Sequence, residues 1–146
     1  MKKLVISTIL ATIGLTASAV EIGVSSVRDS GLEKNGVRIT TSVGALAGFT
    51  PQVTFTQLNG SYDRWAVGGQ YTLPKIGSVS LAATAAGVYH NPVVGSDGYG
   101  VTGGVRATYA LNKNADVVVG VERFFGQDRV SASNANTASF GLNVKF

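Results

Sequence analysis

From Ala138 to Phe146 the apolar side chains of this chain take every second position. Successive side chains of a β-strand point to opposite faces, so Ala138, Phe140, Leu142, Val144 and Phe146 share one face. Ser139, Gly141, Asn143 and Lys145 share the other. The run stops on an aromatic that is also the last residue. A 3.6-residue helix would scatter this pattern around its circumference, so a two-faced sheet is the expected setting.

The opposite end carries a different signal. Lys2 and Lys3 make a basic start, Leu4 to Leu15 an apolar stretch, and Ala17-Ser18-Ala19 a small-residue cleavage site. That is the plan of a secretory signal peptide, and the stretch is too short to span a bilayer as a helix. Residues 1–19 are expected to be removed, leaving residues 20–146 as one domain. Two of the 12 Lys and Arg leave with the leader, so 10 stand against 8 Asp and Glu, a net charge of +2. No basic stripe interleaved with aromatics suggests nucleic acid. With no Cys, disulfides, a lipobox and thiolate metal sites are excluded.

Turn residues cut the remainder into segments of about ten residues. Pro74-Lys75-Ile76-Gly77 and Leu111-Asn112-Lys113-Asn114 are tight polar turns, and Ala45 to Pro51 a looser one. Four longer polar connections lie near 29–35, 59–63, 91–98 and 127–136. Seven connections imply eight strands, expected at Val20–Arg28, Gly36–Gly44, Gln52–Leu58, Arg64–Leu73, Ser78–His90, Tyr99–Ala110, Ala115–Gly126 and Thr137–Phe146. No apolar run is long enough for a transmembrane helix, so a membrane location requires a closed barrel with no open edge.

One face of these strands carries Val24, Ile39, Val53, Val67, Leu81, Val105, Val119 and Leu142; the other carries Thr40, Thr54, Gln70, Thr84, Thr102 and Asn143. A soluble barrel of lipocalin type also alternates, with its apolar face inward. The aromatics separate the two readings. Trp65, Tyr89, Tyr99, Phe125 and Phe140 fall toward one end of the apolar face, and Tyr71, Tyr109 and Phe146 toward the other. Two belts with aliphatic residues between them match the girdles at the two interfaces of a bilayer. The fold class is therefore all-β: an eight-stranded antiparallel up-and-down transmembrane β-barrel, apolar face outward.

In signal peptide, strand plan, girdles and terminal Phe146, the chain resembles the small eight-stranded bacterial outer-membrane barrels of OmpA/OmpX type or a related short porin-like family. The resemblance implies the Gram-negative outer membrane, with both barrel termini periplasmic. It also implies that Phe146 is an assembly signal for the barrel-assembly machinery. It implies no cofactor and a monomer in contact with outer-membrane lipid and lipopolysaccharide. No motif in the chain specifies an activity.

The inward charges are the first candidates for chemistry. Glu21, Arg38, Arg106, Asp116, Glu122 and Lys145 fall on the polar face and form an expected lumen network, with Arg106 beside Glu122 and Asp116, and Lys145 meeting Glu21 at the seam. Such a network is either a gated pore or a structural polar plug, and the narrow bore of eight strands favours the plug. Arg28, Lys34, Arg64, Arg123 and Arg129 gather near the loop ends, where guanidinium forks suit lipopolysaccharide phosphates. Strict alternation puts Arg123 on the lipid face, which snorkelling or a β-bulge at residues 123–125 would relieve. His90, the one histidine, is expected at a rim. A lipid A deacylase of Ser/His/Glu type is weighed against it, with Ser96, Asp97 and Glu122 nearby, but His90 is followed by Asn91 and Pro92 and the deacylase motif is missing. Gly98 to Gly104 is glycine-rich but lacks the Lys-Ser/Thr of a phosphate loop. No His, Cys and acid cluster has metal-ligand spacing. The expected role is non-enzymatic, structural or surface-interacting through the loops, with a narrow channel for small solutes as the alternative.

Overall fold

The computed structural model describes residues 20–126 and 135–146. Eight antiparallel strands run β1 Val20–Asp29, β2 Lys34–Val43, β3 Phe49–Leu58, β4 Tyr62–Ile76, β5 Val79–Pro92, β6 Gly98–Ala110, β7 Ala115–Gly126 and β8 Asn136–Lys145. Each pairs with its neighbours in sequence, and β8 pairs with β1 to close the barrel. The seam register sets Ile22 against Val144 and Val24 against Leu142. The apolar alternation at the C-terminus thus continues that of β1. Phe146 reaches the same seam, its backbone N–H donating to the Val20 carbonyl at 2.9 Å.

Two strand boundaries lie three residues from the sequence expectation, and the others lie within two. β3 starts at Phe49 rather than Gln52, because Phe49, Thr50 and Pro51 pair with Tyr71, Gln70 and Gly69 of β4. The ring of Phe49 lies over Gly69, where a Cβ would collide with it. β4 runs through the expected turn at Pro74 and stops at Ile76, with a register shift between Leu73 and Ile76. Proline donates no ladder hydrogen bond, so an irregularity there keeps the strand going. Gly77, at a φ of 58°, then makes the reversal.

The faces fall as the alternation requires. Val67, Tyr99, Val105, Leu142 and Phe140 are exposed on the outside. Ser25, Thr40, Thr56, Asp116 and Asn143 are buried inside. Phe55 packs at a tilt against Trp65 and Tyr89 against Tyr99 toward the loop end, with centroids 4.6 and 5.4 Å apart. Phe140 lies halfway along β8 rather than at its end. Inward glycines let so narrow a barrel curve: a Cβ on Gly68 or Gly104 would fall on the carbonyl of Ala85 or Val121 in the next strand.

Among the described connections the two ends differ little. Those at the end away from the termini span residues 30–33, 59–61 and 93–97; those beside the termini span 44–48, 77–78 and 111–114. The expected alternation of long and short connections is weak.

Candidate functional site

The closed barrel encloses a lumen, and side chains from seven strands make the contacts within it. Arg38 of β2 forms an ion pair with Glu122 of β7 and donates its Nε–H to Thr56 Oγ1 at 3.0 Å. The Thr102 hydroxyl donates to the other Glu122 oxygen at 3.3 Å. Arg106 of β6 spreads its two amino groups, donating to Gln70 Oε1 of β4 and to Asn143 Oδ1 of β8, each at 3.4 Å. Nearer the termini, Lys145 pairs with Asp116 at 2.6 Å and Ser42 meets Glu21 at 3.5 Å. All six expected lumen residues point inward, but two expected pairings are corrected. Arg106 bonds to amides rather than to Glu122 or Asp116. Lys145 faces Glu21 in register yet turns to Asp116, the register partner of Asn143.

The loop end of the interior differs from the small polar filling read from the sequence. Val27, Leu58 and Tyr62 form one buried cluster, and Val88 with Phe124 another. Arg64 lies between them, only 5 % exposed. Its guanidinium carbon stands 4.4 Å from the Tyr62 centroid and 4.1 Å from that of Phe124. Its Nε–H donates to His90 Nδ1 at 3.3 Å, and the imidazole packs against Tyr62 and Phe124 at centroid distances of 4.6 and 5.4 Å. Asp29 is fully buried beside them. It accepts the Tyr62 hydroxyl at 3.0 Å and the Gly31 and Leu32 amides at 2.9 and 3.1 Å. One carboxylate therefore ties the first hairpin to the interior.

This corrects two expectations. Arg64 is not a rim residue free to meet lipid phosphate, and His90 is not at the rim. Alternation alone carried the signal: Arg64 precedes outward Trp65, His90 follows outward Tyr89, and Phe124 sits between outward Arg123 and Phe125. His90 Nδ1 accepts a hydrogen bond, so its proton resides on Nε2. The residue engages a guanidinium rather than a serine hydroxyl. Asp97, the nearby acid considered above, takes the Tyr89 hydroxyl at 2.7 Å.

The remaining rim candidates divide. Arg28 and Lys34 are exposed at the loop end, although Lys34 pairs in register with Asp29 and so has inward parity. Arg123 faces outward, paired with Gly103 in an unbroken β6–β7 register, so no bulge rescues it. Its guanidinium lies over the Phe125 ring, 5.5 Å from the centroid. Arg129 lies outside the described residues.

Below the aromatic cluster is a cavity of about 70 Å³, lined by Arg38, Arg64, Arg106 and Glu122 together with threonines, Gln52 and glycines. Roughly 10–15 Å³ suffices for one water, so the space is larger than a packing defect. Among the described residues, no group of His, Cys and acids is placed to hold a metal ion.

No protein-family model and no curated sequence matches the chain. Solved structures do. The N-terminal β-barrel domain of Pseudomonas aeruginosa OprF superposes with a TM-score of 0.74 at 11 % identity, covering 89 % of this chain and 98 % of that one. Ail, the attachment invasion locus protein of Yersinia pestis, gives 0.58 at 11 % identity, over 90 % and 100 %. Neisserial surface protein A gives 0.56 at 17 % identity, over 87 % and 94 %. The chain has the fold of the small bacterial outer-membrane β-barrels. Identities this low establish architecture alone.

Proposed function

We propose that this protein is an integral outer-membrane barrel with a structural or surface-interaction role and a lumen closed by its own side chains. The observation that carries the reading is the pairing of an apolar, aromatic-belted exterior with an interior spanned by Arg38–Glu122, by Arg106 and by the Arg64 cluster. An exposed apolar band needs hydrocarbon around it, and an eight-stranded bore bridged at several levels leaves no open aqueous path. Both termini face the periplasm, and the outward Phe146 serves the barrel-assembly machinery. The hairpins at 30–33, 59–61 and 93–97 then face outside. Arg28, Lys34 and Arg123 are the described cations on offer to lipopolysaccharide phosphates, which suit guanidinium and ammonium donors. Ail and neisserial surface protein A bear names of surface proteins, which accords with this role. The role is non-enzymatic, supported by the engagement of His90 with Arg64.

Detergent-folded protein should show heat-modifiable gel migration and, in planar bilayers, no long-lived ohmic openings. Steady ohmic conductance from that same heat-modifiable material would replace the closed lumen with the second reading, a narrow solute channel, which the internal cavity favours. Loss of acyl chains from lipid A incubated with the protein, read by mass analysis, would overturn the non-enzymatic role.

A further inference from the structure

We propose that the mid-lumen cavity is a binding site for a small monovalent anion of halide size. The cavity is lined by three arginines, Arg38, Arg64 and Arg106, against one carboxylate, Glu122. Glu122 is committed to Arg38. The other two guanidinium groups meet only neutral partners: Arg106 two amide oxygens, and Arg64 an imidazole nitrogen and two ring faces. Among the described residues neither has a carboxylate within ion-pair distance. Asp29, Glu21 and Asp116, the other inward acids, do not line this space.

Buried charge persists only where an opposite charge or several hydrogen bonds offset it. The lining itself carries two more positive charges than negative, offset in part by Asp29 acting on Arg64 and by Glu21 and Asp116 acting on Arg106 from outside it. It also includes two residues, Arg64 and Gln52, whose Nη2 and Nε2 donors are buried without a hydrogen-bond partner among the described residues. Spare donors and surplus positive charge together select an anion over water, which supplies no charge, and over a cation, which both features repel. The volume of about 70 Å³ holds a halide with one or two waters, and excludes a sugar phosphate or a nucleotide. The inference concerns what the lumen holds and does not depend on what the loops bind.

Crystals of the detergent-folded protein grown in bromide would test it by anomalous scattering. A bromide peak in the cavity within hydrogen-bonding distance of at least two of the three arginines is expected. Gln52→Glu, nearly isosteric, supplies the missing charge from the wall, so the peak should vanish while heat-modifiable folding is retained. In solution, the unfolding midpoint of the parent protein should rise with the logarithm of chloride concentration when gluconate keeps the ionic strength constant, and the rise should disappear in Gln52→Glu. A lumen showing water density without anomalous signal would overturn the site. So would a bromide peak that survives Gln52→Glu, or stability indifferent to the exchange of chloride for gluconate. None of these outcomes bears on conductance, so the closed-lumen reading stands or falls separately.

Discussion

Near the loop end the interior is held by rings against rings and rings against a cation, with Tyr62, His90 and Phe124 enclosing Arg64 and no surface left on Asp29 or His90. A few residues further down, the same strands turn to threonine, glutamine and glycine around a cavity crossed by Arg38, Glu122 and Arg106. Both regions bury arginine. The upper one shields it with aromatic faces, which carry partial negative charge and exclude water. The middle one surrounds it with hydroxyls and amides and leaves room. The difference teaches that a narrow barrel can satisfy buried charge by tight apolar enclosure or by a polar network, and that the two respond differently to substitution.

Phe124→Ala should give the largest effect. It removes a large ring from a packed setting and uncovers the guanidinium, at a cost of about 3–5 kcal/mol, measured as a fall in the guanidinium chloride midpoint of refolded protein. Asp29→Ala comes next, at about 1–3 kcal/mol, because it strands the Tyr62 hydroxyl and two loop amides; a loss confined to faster hydrogen exchange in residues 30–33 would show that the anchor is local. In the roomier region, Thr54→Val deletes the contact with Thr40 at 3.3 Å and should cost only about 1 kcal/mol. A loss equal to that of Phe124→Ala would erase the distinction between the two regions. Arg123→Leu, on the outer face, should change stability in neutral detergent by less than about 0.5 kcal/mol. Any larger effect should require lipid that carries phosphate.

Much of this was legible in the chain. Strict alternation gave eight strands and both faces, because a period of two leaves no freedom once one residue's direction is known. The paired charges were less legible. Parity names which side chains enter the lumen, but not which meet across it: Arg38 and Glu122 are partners only because the barrel closes β8 onto β1. His90 and Arg64 were misplaced because they sit near strand ends, where proximity to a loop argues against what alternation says. The course of β4 beyond Pro74 was hidden for another reason. A proline read as a turn signal can instead be absorbed in a strand by an irregularity, and the partner strand decides which.

The cross-lumen contacts also bear on how the barrel assembles. Arg38 and Glu122 lie on strands far apart in sequence, and neither hairpin alone brings them together. Arg106 likewise ties β6 to β4 and β8 at once. The Arg38–Glu122 brace is brought within reach by the meeting of the first and last strands, so half-built intermediates lack it and completion of the cylinder is rewarded.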